Sequence, residues 1–211
     1  ERFAGEIHKN ASRLLILIND IIQLSQLDGG KTDVEYTDLD LYKLAGECIS
    51  MLKMNAQKQN VTMKLCGRSS MVFADKQLME ELLFNLCDNA IRYNNRGGSV
   101  TVTVDKNREG NTFLSVKDTG IGISPEHQDR IFERFYRVDK SRSKATGGTG
   151  LGLAIVKHIV AQHEASISLE SEPKKGTEIV VVFSGRLKER EQQKRLEQQS
   201  AEQTKQKNTG D

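Results

Sequence analysis

Two asparagines four residues apart, Asn85 and Asn89, stand in the run LMEELLFNLCDNAIRYN over residues 78–94, with Arg92 and Tyr93 just beyond them. Apolar Leu78, Leu82, Leu86 and Ala90 recur at helical spacing, which leaves the two amides together on another face. Paired amides can coordinate a hydrated magnesium ion and phosphate oxygens without adding negative charge beside a triphosphate. Arg92 is spaced to reach the same phosphates, and Tyr93 offers a ring to pack near a base. Alone, the run reads better as a surface helix carrying polar asparagines.

A second block, KDTGIGIS at residues 117–124, follows a strand-like run. Asp118 then emerges at a strand end, and the glycines let the backbone approach a ligand closely. A carboxylate there can accept a hydrogen bond from the exocyclic amine of adenine, whereas guanine would present a carbonyl, acceptor against acceptor. A charged hydrogen bond of this kind is worth about 1.5–3 kcal/mol, enough to choose between bases. The simpler reading is an Asp-Gly turn.

A third block, TGGTGLGLAIVKHIV at residues 146–160, puts Gly147, Gly148, Gly150 and Gly152 directly before an apolar-periodic helix. Such a turn exposes backbone N–H groups and the favourable end of the helix dipole to phosphate. It lacks the GK[ST] of a P-loop and the preceding strand of a dinucleotide fingerprint. Between these blocks, IFERFYRVDKSRSKAT at residues 131–146 couples Phe132, Phe135 and Tyr136 to a basic stretch with Arg137, Lys140, Arg142 and Lys144. It reads as a hydrophobically anchored lid whose cations approach phosphate, or as a surface loop with a hydrophobic foot.

The elements that must hold these side chains fall into three zones. Residues 1–30 carry Ile7, Ala11, Leu14, Ile18, Ile21 and Ser25 at bundle-seam spacing, widened by Leu15, Leu17, Ile22 and Leu24, and stopped by Gly29 and Gly30. A long helix is expected, either part of the same core or half of an intermolecular bundle. Residues 31–185 show helical patterns near 42–58, 76–93 and 152–163. Strand-like runs fall near 34–39, 61–66, 71–74, 99–105, 112–117, 165–171 and 178–183. This predicts an α+β fold, a two-layer α/β sandwich with a mixed, mostly antiparallel sheet, preceded by the long helix. Residues 186–211 are Lys, Glu and Gln with scattered Leu and Ala, a polar tail that is helical or disordered.

A net charge of +2 over 211 residues argues against a general nucleic-acid binder. Cys48, Cys66 and Cys87 are widely spaced, lack a CxxC pair, and read as reduced, mostly buried thiols. No apolar run approaches the roughly 18 residues a membrane span needs, and no signal-peptide pattern is present.

In order and spacing the four blocks resemble the N-box, G1, F-box and G2 box of the sensor histidine kinases of two-component systems. These form one branch of the gyrase/Hsp90/histidine-kinase/MutL ATP-binding superfamily. KKGTEIVVVF at 174–183 looks like the final glycine-threonine motif. The resemblance covers roughly residues 1–184 and implies a Bergerat-type sandwich with ATP or ADP and magnesium held between the 76–93 helix and a lid near 125–150. It implies that Asn85 and Asn89 are the N-box asparagines, with Asn89 on magnesium, and that Arg92 replaces the usual lysine beside Tyr93. Asp118 then reads adenine, Gly120, Ile121, Gly122 and Ile123 form the adenine-side turn, and Gly148, Thr149, Gly150, Leu151, Gly152 and Leu153 the phosphate-side turn, with Thr177 on the returning strand. Arg134, Arg137 and Arg142 become lid cations.

Relatives that hydrolyse ATP generally carry a glutamate where Asn85 stands, and an amide is a poor general base. Glu81, one turn earlier, could partly compensate. The kinase reading takes its nucleophile from outside, a histidine attacking the γ-phosphate in line. RLLILINDIIQLSQLDGG at 13–30 looks like the second helix of the dimerisation and phosphotransfer hairpin, whose acceptor histidine lies on the first helix. His8, in IHKNASRL, lacks the acceptor box, and His127, His158 and His163 read as surface or packed histidines. The resemblance thus implies a fragment of a longer, homodimeric, inner-membrane-anchored receptor kinase with this portion in the cytoplasm. Its partners would be the histidine-bearing hairpin and a response-regulator receiver domain. The alternatives are a nucleotide-dependent interaction module and an ATPase of the same superfamily.

Overall fold

Strict alternation in SVTVTVDK buries Val100, Val102 and Val104 completely and turns the intervening threonines and Asp105 outward. Each buried valine contributes roughly 1.5–3 kcal/mol, and a one-residue slip would expose all three. The computed structural model describes residues 34–138, 148–185, 187–190, 192 and 193, together with 7, 11, 14, 15, 17–22 and 25. In chain order the elements are β1 (Tyr36–Asp40), α1 (Leu41–Gln59), β2 (Thr62–Gly67), β3 (Met71–Asp75), α2 (Lys76–Arg92), β4 (Ser99–Lys106) and β5 (Thr112–Asp118). There follow α3 (Pro125–Gln128), α4 (Gly152–Gln162), β6 (Ser166–Glu172) and β7 (Gly176–Phe183).

Five strands form one sheet in the order β2-β4-β5-β7-β6. All neighbours are antiparallel except β2 and β4, which run parallel with Thr62 opposite Ser99. The strands and helices expected within residues 31–185 are all present. Unforeseen was a second, two-stranded sheet in which β1 pairs antiparallel with β3. It is braced by His163, whose Nε2 accepts the Asp75 N–H at 3.2 Å while its Nδ1–H donates to the Ile159 carbonyl at 2.8 Å. Burial, partly opposed by the Ile159 carbonyl and the nearby Asp75 charge, depresses the proton affinity of this imidazole below its ordinary value. His163 is thus a packed histidine, as its apolar surroundings predict.

Aspartates start both long helices. Asp40 accepts the N–H groups of Tyr42 and Lys43 ahead of α1, and Asp75 accepts that of Leu78 ahead of α2. Asn60 ends α1 in the left-handed conformation. By contrast α4 begins at Gly152 with no side-chain cap, so its first N–H groups are left for another acceptor. The apolar faces of α1, α2 and α4 meet Val100, Val102, Val104, Leu114, Val116, Ile179 and Val181 of the sheet in one core.

The described positions of the first zone are helical, and Ile7, Leu14, Leu15, Ile18, Ile21 and Ile22 are exposed, whereas Leu17 packs against the core. Of the third zone, 187–190, 192 and 193 are described as helical. Leu187 is buried, Lys188 pairs with Asp38 at 2.8 Å, and Arg190 pairs with Glu164, so the start of the polar zone is attached to the domain. His8, Lys140, Arg142, Lys144 and Gly147 lie outside the described residues.

Candidate nucleotide-binding site

Helix α2 presents Asn85, Asn89 and Arg92, all half-buried, while Leu82, Leu86 and Ala90 face the core. Asn85 Nδ2 donates to the Glu81 carbonyl at 3.1 Å, leaving its oxygen directed at the start of α4. A methyl group at Gly152 would lie 2.6 Å from that oxygen, so the Asn85 side chain would have to shift to admit it. The same loop carries Gly148, where a methyl group would lie 3.6 Å from both Arg92 Nη1 and the Tyr93 hydroxyl and 3.8 Å from Arg137 Nη2. Two guanidinium groups, a phenol and an uncapped helix start therefore surround one space. Arg92 already donates through Nη2 to Asp88 at 2.6 Å, and the Thr149 hydroxyl donates to Asp20 at 2.6 Å. Burial raises the Asp20 carboxyl above its ordinary range, with the Thr149 hydroxyl opposing.

At the other end Asp118 closes β5. Its Oδ1 accepts the Gly120 N–H at 2.7 Å, and the Thr177 N–H also bonds the carboxylate. Burial pushes this carboxyl above its ordinary value of 3.8, and the two N–H groups pull the other way. A carboxylate takes about four hydrogen bonds, so acceptor capacity remains for a ligand amine. Gly120 is fitted against the Tyr93 carbonyl, which a methyl group would meet at 2.4 Å, and the Ile121 N–H donates to that carbonyl at 3.1 Å. Gly176, at φ +116, leaves 2.0 Å between a would-be methyl and the Asp118 carbonyl, which only glycine tolerates.

The expected residues thus gather into one arc from Asp118 through Tyr93 to Asn85 and Gly148. Ile121 is exposed at the rim, Gly122 packs against the Glu172 carbonyl, and Leu153 is half-buried against the core. Leu151 differs: its side chain is fully buried in the core, and only its backbone, with N–H to Thr149 Oγ1 at 3.3 Å, faces the loop. The arginines part company as well. Arg137 joins the Gly148 cluster, whereas Arg134 lines a groove with Phe132, Lys157 and His158 on the outer side of α4.

Three bracing residues escaped the sequence reading. Asn94 Nδ2 donates to the carbonyls of Ala90 and Ser99, and its Oδ1 accepts from the Thr119 hydroxyl, tying the end of α2 to the Asp118 turn. Ser171 Oγ accepts the Ile123 N–H at 2.9 Å and shares a hydrogen bond with the Thr177 hydroxyl at 2.8 Å. Gln128 Nε2 donates to the carbonyls of Ile123 and Ser171. The one available signal was the asparagine ending the N-box run; serine and glutamine at the other positions carried none.

The profile of the family described as histidine kinase-, DNA gyrase B- and HSP90-like ATPases matches residues 74–187, a span holding every member of this arc. The chain belongs to that family. Its similar relatives include the sensor-like histidine kinase SenX3 of Mycobacterium tuberculosis, 41% identical over 177 residues that cover 83% of this chain and 43% of the relative. The sensor histidine kinase YkoH of Bacillus subtilis is 36% identical over 178 residues, covering 84% and 38%. The chain therefore spans less than half the length of these kinases. Among solved structures, full-length ShkA in complex with AMPPNP superposes with a TM-score of 0.74 at 24% identity, covering 86% of this chain and 38% of that one. This likeness bears on the fold alone. The region is thus an ATPase domain of that family, and it is similar in sequence to the corresponding part of sensor histidine kinases.

The arc also fits the metal that nucleotide chemistry brings. Among the described residues no three His, Cys, Asp or Glu side chains gather to hold a cation by themselves. The neutral amides of Asn85 and Asn89 fit a magnesium ion that shares its coordination with phosphate oxygens.

Proposed function

We propose that this region holds magnesium-ATP in the arc between α2 and the Gly148 loop and presents its γ-phosphate to a histidine on a separate helix, for relay to a response-regulator aspartate. The observation that carries the reading is the convergence of Asn85, Arg92, Tyr93, Arg137 and Gly148 on one space, with Asp118 and its unspent acceptor capacity at the other end. Asp118 accepts from the adenine amine and Gly120 to Ile123 lie along the base. Arg92, Arg137, Thr149 and the first N–H groups of α4 neutralise phosphate charge, with Gly150 and Gly152 keeping the approach open and Thr177 bracing Asp118. Asn89 would hold a magnesium ion, which would supply neutralisation of phosphate charge. Asn85 orients phosphate and, being an amide, does not activate water.

The exposed apolar positions at 7, 14, 18 and 21 support residues 1–30 as the second helix of a dimerisation hairpin. Residues 31–185 then form the catalytic domain and 186–211 a tail. Among the described residues no helix is long and apolar enough to cross a membrane; membrane anchorage would belong to other parts of the receptor. The test mixes this chain, γ-labelled ATP and the histidine-bearing hairpin of its parent. Acid-labile label on the hairpin, lost in Asn89→Ala, is expected. Multiple-turnover phosphate release without label transfer would instead favour the ATPase.

A further inference from the structure

The two-stranded sheet of β1 and β3 sits where the first zone joins the nucleotide-binding domain. β1 follows directly on residues 31–35, the covalent link between the two. Glu35, at the end of that link, donates its N–H to Asp75 Oδ2 at 3.0 Å, which pins it to the residue capping α2. A lone two-stranded ribbon is only marginally stable in water, so this one depends on what covers it. One face carries Tyr36, Asp38 and, opposite Asp38 in register, Phe73. The end of α4 takes Tyr36, whose hydroxyl donates to the Gln162 carbonyl at 3.2 Å and whose ring lies edge-on to His163 at 5.5 Å. The start of the polar zone takes the rest. Lys188 Nζ donates to both carboxylate oxygens of Asp38 at 2.8 Å and stands 5.8 Å from the centre of the Phe73 ring. Leu187 is buried, and Arg190 pairs with Glu164 just past α4. We propose that residues 187–190 are a detachable strap, docked across β1 and the end of α4, that restrains the joint between residues 1–30 and the nucleotide-binding domain.

The contact is built to come apart. Both ion pairs are partly exposed, and pairs of that kind add little that salt or a competing charge does not remove. One leucine supplies the buried part, and the sequence beyond it is Lys, Glu and Gln with too few apolar residues to hold a second anchor. The joint also has to yield. Thr149 donates to Asp20 at 2.6 Å, so the first zone lies against the phosphate end of the site. On the kinase reading, on which this inference rests, an acceptor histidine has to meet the γ-phosphate in line at that same end. First zone and domain must therefore part, and the link over residues 31–35 must swing about β1. A docked strap holds β1 against α4 and opposes the swing, whereas a detached strap permits it.

The test reverses the Lys188–Asp38 pair in the full chain, as Lys188→Asp, as Asp38→Lys and as both together. Amide hydrogen exchange over Tyr36–Asp40 should quicken about tenfold or more in each single variant and return to the parental rate in the double one, with β4 unchanged throughout. With the histidine-bearing hairpin and saturating ATP, label transfer should rise about threefold or more in the single variants and return in the double, at unaltered ATP affinity. Unchanged β1 exchange in the single variants, quickening that extends to β4, or no rescue in the double would overturn the strap. Faster β1 exchange with label transfer unchanged or slower would overturn its control of the joint. Exchange needs no nucleotide and decides the strap by itself, whereas absence of label transfer by the unaltered chain would count against the kinase reading alone.

Discussion

The two ends of the arc are built from different materials. Asp118 is fixed by main-chain N–H groups, and its turn is stitched by Asn94, Ser171 and Gln128, so the base end is complete before any ligand arrives. At the proposed phosphate end two side chains already have acidic partners: Arg92 holds Asp88, and Thr149 holds Asp20. A preorganised end binds without reordering, whereas an engaged one must exchange partners. On the proposed reading, the difference makes adenine recognition a property of the sheet and triphosphate affinity the outcome of a competition with two carboxylates.

The largest effect that would break this contrast is Gly176→Ala. The added methyl strikes the Asp118 carbonyl at a positive φ, so a loss of about 3 kcal/mol in stability is expected in chemical denaturation, with the base end failing together with the fold. A variant as stable as the parent would mean that the turn is not rigid. Asp118→Asn should cost about 1.5–3 kcal/mol in the binding of ATP, ADP and adenosine alike, read by calorimetry. Unchanged affinities would remove Asp118 from base recognition.

Acid should separate the two ends. Burial raises the Asp118 carboxyl, so adenosine affinity is expected to fall with pH earlier than an ordinary aspartate allows. The stability sign is opposite. The native carboxyl binds its proton more tightly than the unfolded one, so its contribution is full below 3.8 and lost as pH rises through the native value. Asp118→Asn should therefore show a flat adenosine profile and no loss of thermal stability at neutral pH. The smallest effect is Asp88→Ala, which removes one acidic partner of Arg92. ATP should bind more tightly by about 0.2–1 kcal/mol with adenosine unaffected, and weaker ATP binding would show that Asp88 positions Arg92 rather than competing for it.

Most of the architecture was legible because each element announces its own period. Val100 to Val104 alternate, Leu78 to Ala90 repeat at helical spacing, and the glycine-bearing turns stand where chain reversals occur. The separate pairing of β1 with β3 was not, because His163, which steadies it, lies 88 residues beyond Asp75. The ligand-facing residues were legible as types, since paired amides, a carboxylate and glycines point to a limited chemistry. Their bracing was hidden: Ser171 and Gln128 act on main-chain groups more than 40 residues away, which no local spacing encodes. Leu151 misled for the converse reason, since a position inside a glycine-rich loop says nothing about which way its side chain turns.

The sheet order carries a consequence for how this domain tolerates change. Hairpins β4–β5 and β6–β7 each close over short turns and join where β5 meets β7; the run from Thr119 to Leu151 leaves the sheet after β5, and the chain returns to it through α4 and the edge strand β6. In polymer terms this run is a closed loop, whose entropic cost grows only logarithmically, about 0.6 kcal/mol for each doubling of length. Lengthening the run away from Gly120, Gln128, Arg137 and Thr149 therefore adds little closure cost, so the proposed cover of the phosphates can be recomposed while the braces of Asp118 stay intact.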